Sequence, residues 1–85
     1  APAQFAQLTT AVVTPANAAE MHALALQLLH YSPEPRVIEK LIASARLLGR
    51  EDEVALHTDR YRRAYPYDFG RWQRGQPSGG PPLEH

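Results

Sequence analysis

Prolines divide this chain into pieces of helical length. Pro33 and Pro35 stand two residues apart after one apolar stretch, and Pro66 follows another. A proline ring lacks an N–H and clashes inside a helix, but it suits the first turn. The run Ser32-Pro33-Glu34-Pro35 therefore closes one helix and opens the next, and Pro66 reads as a stop. Between these marks the apolar residues recur with helical spacing. Met21, Leu24, Ala25, Leu28 and Tyr31 form one stripe, and Leu26 and Leu29 widen it. Ile38, Leu41, Ile42, Ala45 and Leu48 form a second, opposite an outer face of Arg36, Glu39, Lys40 and Arg46. Val54, Thr58, Tyr61 and Tyr65 form a third.

The ends of these segments carry matching signals. Thr14-Pro15 places a capping residue before a first-turn proline, and Asn17-x-x-Glu20 offers a capping box as an alternative. Gly49 sits where a helix C-terminus needs a residue free to adopt positive φ. Glu51-Asp52-Glu53 opens the third segment and Arg60, Arg62 and Arg63 close it, each sign opposing the helix dipole. Three helices over residues 16–65 are expected, with Leu24, Leu28, Ile38, Leu41, Ile42, Ala45, Leu48, Val54 and Tyr61 facing one core. Residues 4–13 read as a further short helix through Phe5, Leu8 and Val12, although Thr9, Thr10, Val12 and Val13 favour strand. The fold class is an all-α, small antiparallel helical array.

Composition removes several functions. There is no cysteine, which excludes disulfides, thiolate metal sites and cysteine catalysis. Nine basic residues balance nine acidic ones, so net charge recruits no partner. The longest apolar run, Ala23 to Leu29, is broken by Gln27 and falls well short of the ~20 residues of a membrane span. Residues 75–82 are polar, glycine- and proline-rich, and are expected to form a disordered C-terminal tail. Leu83-Glu84-His85 resembles the start of a vector-encoded tag. The chain opens on Ala1-Pro2 without a leader, so residues 1–74 read as a single helical domain cut from a longer protein.

Pro33 and Pro66 lie 33 positions apart, each ending a helix that closes on an aromatic (Tyr31-Ser32-Pro33 and Tyr65-Pro66), close to the ~34-residue tetratricopeptide period. The run from Leu47 to Val54 with Tyr65-Pro66 is similar to the second half of such a repeat. Val54 and Tyr61 are bulky where that repeat prefers small residues, which makes the array degenerate tetratricopeptide-like. A narrower likeness covers His30 to Trp72. A proline-flanked helix start, the Leu-Gly-Arg-x-Asp-Glu turn, an Arg-Tyr in the third helix, the Tyr-Pro stop and a following Trp resemble the soluble C-terminal domain of bacterial virulence-factor membrane-bound polymerases. Related proteins are O-antigen ligases and protein O-oligosaccharyltransferases.

The resemblance implies a polytopic parent in the inner membrane of a Gram-negative bacterium. That parent would transfer a lipid-diphosphate-linked glycan to an acceptor on the periplasmic side. The family's chemistry lies in the membrane portion, so none of its catalytic residues maps onto this chain. A non-catalytic accessory domain, periplasmic and without cofactor, is expected. Its partners would be the rest of the parent, an acceptor protein, a glycan-lipid diphosphate or an anionic membrane surface, and no nucleic acid. The alternatives are a stand-alone tetratricopeptide-like adaptor and a small helical nucleic-acid binder.

The residues themselves offer little chemistry. His22 and His30 are eight apart, roughly 80° around a helix, and His57 pairs with Glu53 at i,i+4 without a third ligand of known placement. Ser32 reads as a turn residue and Ser44 as a small helix-face residue, and no phosphate loop or nucleophile elbow is present. One uneven feature remains. Residues 60–74 hold Arg60, Arg62, Arg63, Arg71 and Arg74 against Asp68, interleaved with Tyr61, Tyr65, Tyr67, Phe69 and Trp72. Arg60, Arg62, Arg63, Arg71, Trp72 and Arg74 are the candidate binding residues, suited to diphosphate, anionic headgroups or sugar rings. The competing reading has the aromatics packing the end of the third helix while the arginines stay solvated.

Overall fold

The structure, a computed structural model, describes residues 6–8 and 10–75, and every regular element among them is helical. Helix α1 spans Ala18–Tyr31, α2 Pro35–Leu47, α3 Glu51–Ala64 and α4 Pro66–Gln73. Upstream, residues 6–8 and Thr10 are helical, and the chain has left that conformation by Ala11. β-Branched Val12, Val13 and Thr14 followed by Pro15 disfavour the helical region there. Of the expected tail over residues 75–82, Gly75 is described, its N–H donating to the Trp72 carbonyl at 3.0 Å; the rest of it and the expected tag remnant lie outside the described residues.

Helix α1 begins later than Thr14-Pro15 predicts. Asn17 is its N-cap residue, but its side chain turns backward: Oδ1 accepts from the Thr14 amide at 2.8 Å and Nδ2 donates to the Val12 carbonyl at 3.0 Å. The side chain thus knits the entry turn and makes no capping bond to α1, so Asn17 and Glu20 form no capping box. Helix α2 starts with Pro35 at its first turn, as expected. Its C-terminus is a Schellman closure: Arg50 N–H reaches the Ala45 carbonyl at 3.0 Å and Gly49 N–H the Arg46 carbonyl at 3.1 Å. Gly49 has φ +75°, the left-handed conformation that a Cβ disfavours.

The central helix is α2, against which α1 and α3 both pack. Leu8, Met21, Ala25 and Leu28 meet Val37 and Leu41 in the main core cluster, flanked by Leu24 and Leu29. Ile42 and Ala45 are buried as well. Contact on two sides widens the buried arc of α2 beyond one stripe. Val37, Glu39 and Ser44 are therefore covered, while Ile38 and Leu48 are only half-buried. Glu39, expected on the outer face, is a correction: it is 7 % exposed. Lys40 is held too, its Nζ donating to the Ala11 carbonyl at 2.6 Å. Tyr31, expected in the α1 stripe, is 74 % exposed because it lies in the last turn, beyond the reach of the core.

The region after Pro66 differs most from expectation. Pro66 starts helix α4 rather than only stopping α3, and Tyr65 serves as the C-cap of one and the N-cap of the other. Within α3 only Tyr61 is fully buried, with Val54, Thr58 and Tyr65 half-buried. The Tyr61 ring is surrounded by Tyr65, Phe69 and Trp72, with centroids 6.2, 5.8 and 5.5 Å away. Its hydroxyl donates to the buried Glu39 carboxyl. One side chain thus docks α4 onto α3 and fixes α3 to α2. The Tyr65 hydroxyl adds a bond to the Pro33 carbonyl at 2.7 Å, tying the two proline turns together.

Candidate functional site

Three groups of polar side chains stand out, and each follows from how α2 is flanked. The first bridges the two outer helices. Helices α1 and α3 do not pack on one another, yet His22 Nε2 meets Glu53 Oε1 at 2.8 Å, with His22 almost wholly buried. Against an ionised carboxylate that ring nitrogen carries the proton and donates. Arg50 Nη1 lies 3.5 Å from the other Glu53 oxygen. The hydrogen bond from His22, helped by the charges of His22 and Arg50 and partly opposed by burial, holds the Glu53 carboxyl below its ordinary value. Burial pushes His57 below the ordinary imidazole value, with Arg60 and His22 acting the same way and Glu53 opposing. No group of three or more histidines and carboxylates among the described residues converges to hold a metal ion.

This arrangement has a pH consequence. Both shifted groups titrate lower in the folded chain than in the unfolded one, so the folded state binds fewer protons and acid destabilises it. Stability should begin to fall as pH drops through the ordinary histidine value, about 6.5, where unfolded His57 charges first. It should fall again below the ordinary glutamate value, about 4.3, where unfolded Glu53 protonates while the folded carboxylate resists. Urea denaturation across pH 3.5–8 reads both limbs (the range being roughly that of the two titrations). His57→Gln should flatten the upper limb and Glu53→Gln the lower. An unchanged profile in both variants would remove the assignment.

The second group is the arginine-aromatic end. Arg60, Arg62 and Arg63 are exposed on α3, Arg74 is exposed just past α4, and Arg71 and Trp72 are half-buried on α4. Arg62 and Arg63 share Asp59, with Arg63 Nε at 3.0 Å from its carboxylate. The Arg71 guanidinium lies 5.8 Å from the centre of the Tyr67 ring, and Tyr67 is 73 % exposed. Trp72 packs with Tyr61 and with Phe69, the latter at 6.0 Å. The six candidates thus divide into a cluster on α3, in which Arg62 and Arg63 share Asp59, and another on and just past α4, built on packed rings.

The third group was not singled out from the sequence. Arg46, on the last turn of α2, lines a shallow depression of about 660 Å³ with Val54, Ala55, Thr58 and Arg62. It also lines a second, of about 410 Å³, with Trp72 and Gln73. Reading Arg46 as an outer-face residue was correct, and nothing in its spacing indicates that α4 returns to stand beside it.

The sequence model of one family, described as virulence factor membrane-bound polymerase, C-terminal, matches residues 1–78. The chain belongs to this family. No curated protein and no solved structure gives a significant match. The fold and the family therefore agree with the resemblance read from His30 to Trp72, and the match extends over almost the whole chain. No helix among the described residues is long and apolar enough to cross a membrane.

Proposed function

We propose that this domain is a non-catalytic accessory module of an inner-membrane glycan polymerase or ligase, standing on the periplasmic side of a Gram-negative envelope. The observation that carries this reading is the family match over residues 1–78, the C-terminal part of a membrane-bound polymerase. The uses of its polar groups support the accessory role. His22 with Glu53 and Tyr61 with Glu39 each join two helices of the scaffold, while Asp59 pairs with Arg62 and Arg63 within α3. The α3–α4 end then offers exposed Arg60, Arg62, Arg63 and Arg74 to an anionic surface, either membrane headgroups or a lipid-linked diphosphate. The proline-led starts of α2 and α4 are also what a degenerate tetratricopeptide-like hairpin would use to hold an acceptor protein.

Co-sedimentation with anionic vesicles at low and moderate salt tests the surface. Binding should weaken as salt rises, since exposed charges are screened beyond about 8–10 Å. An Arg62→Glu/Arg63→Glu double substitution should weaken it by ~2 kcal/mol or more, at ~1 kcal/mol for each basic residue near the membrane. Absence of vesicle binding by the native domain at low salt would overturn the membrane-facing role.

A further inference from the structure

Helix α1 forms an edge of the array: among the four helices it packs on α2 alone. It holds one carboxylate, Glu20, and no lysine or arginine. The exposed side of α3, by contrast, shows Glu51, Asp52, Arg60, Arg62 and Arg63. On α1 the exposed residues include Ala19, Glu20, Ala23, Leu26, His30 and Tyr31, which at roughly 100° per residue fall within about 140° of arc. Leu26 is 44 % exposed and Tyr31 74 %. This outward face is therefore small and apolar at its middle and acidic near its N-terminal end. At the other end the His30 and Tyr31 rings stand edge to face at 5.2 Å, which puts an imidazole N–H and a phenol O–H on one short stretch of surface.

We propose that this face pairs with the same face of a second copy of the chain, the two α1 helices lying antiparallel about a two-fold axis level with Ala25. Glu20 and His30 stand equally far from that level, about 7.5 Å at 1.5 Å per residue. Glu20 of each helix is therefore level with His30 of the other. Its carboxylate accepts from the His30 imidazole and the Tyr31 hydroxyl, once at each end of the pair. Near the axis Leu26 meets its own symmetry mate, and Ala23 lets the backbones approach. A parallel pair would instead set Glu20 against Glu20, a like-charge contact that costs several kcal/mol. The face is thus complementary to itself in charge and in size, as a two-fold interface requires. The zero formal net charge leaves no long-range repulsion between copies. A helix of 14 residues is about 21 Å long, and one such face buries less than the ~1,000 Å² of a stable interface. The dimer is therefore a transient one that grows with concentration. This inference goes beyond the accessory role and depends on neither the parent's chemistry nor its location.

The test is sedimentation equilibrium, with ¹⁵N chemical shifts, from about 20 μM to about 1 mM chain, the span in which weak association is read. Mass should rise toward the dimer with concentration, and the shifts should concentrate at Ala23, Leu26 and His30. Leu26→Glu sets two carboxylates across the axis and should weaken association about tenfold or more. Leu56→Glu, at a comparably exposed leucine on α3, should associate like the native chain. Glu20→Lys and His30→Glu should each dimerise poorly alone, and an equimolar mixture of the two should recover, because each introduced charge then meets its opposite. A native chain that stays monomeric at about 1 mM would overturn the proposal. So would a mixture that fails to recover, or equal losses in Leu26→Glu and Leu56→Glu. Loss of anionic-vesicle binding in Leu26→Glu with no change in mass would also overturn it, since α1 would then face a bilayer.

Discussion

Replacing Leu41 by alanine should lower the stability of the domain by about 2–5 kcal/mol, the range for truncating a buried leucine. Leu41 is fully buried on the central helix, in the cluster that Leu8, Met21, Ala25 and Leu28 complete from outside α2. A domain has roughly 5–15 kcal/mol in total, and a chain this short belongs near the lower end. The substitution would then remove a third or more of the stability and leave part of the population unfolded at 37 °C (a temperature at which a few kcal/mol decides the outcome). Urea denaturation followed by circular dichroism measures it. Leu26→Ala is the control, because Leu26 is 44 % exposed on α1 and should lose under ~1 kcal/mol. Equal losses at the two sites would mean that the core is not where the structure places it.

Tyr61 should be nearly as sensitive, and its two roles can be separated. Tyr61→Ala removes the ring on which Tyr65, Phe69 and Trp72 converge, at a cost of about 3–5 kcal/mol. Since those contacts dock α4, the half-buried Trp72 should become solvated and its fluorescence shift to the red. Tyr61→Phe keeps the ring and deletes only the hydroxyl that donates to Glu39. That variant should cost about 1–3 kcal/mol, the range for depriving a buried polar group of a partner, with Trp72 emission unchanged. A red shift in the phenylalanine variant would show that the hydrogen bond, not the ring, holds α4.

The helices between Thr14 and Tyr65 were legible because apolar periodicity and proline placement agree there. Leu28, Leu41, Ile42, Ala45 and Tyr61 are buried as their spacing predicts. Pro66 was half-read, since a proline that cannot continue one helix is equally suited to begin another. The second meaning depends on Phe69 and Trp72 finding Tyr61. Glu39 looked like a surface residue because a single-stripe reading of α2 omits the contact with α3. The His22–Glu53 bond joins residues 31 positions apart on helices that do not pack together, so no local pattern encodes it. The sharing of Asp59 by Arg62 and Arg63 was visible, at i,i+3 and i,i+4, and it tempers the charge of the arginine run. Arg46 acquires its setting only from the return of α4.

The order in which the helices touch also bears on how the chain reaches this structure. Helix α2 packs on α1, α3 on α2, and α4 on α3 with a lighter touch on α2, so almost every interface joins neighbours in sequence. Each closure spans a short loop, and loop entropy is the main kinetic obstacle for helical domains. Such a chain can acquire its helix–helix interfaces one after another, and the longer-range bonds of His22 to Glu53 and Tyr65 to Pro33 close on elements already docked. For the C-terminal domain of a membrane-bound polymerase, that order means that each helix after α1 finds its main packing surface on the helix just before it.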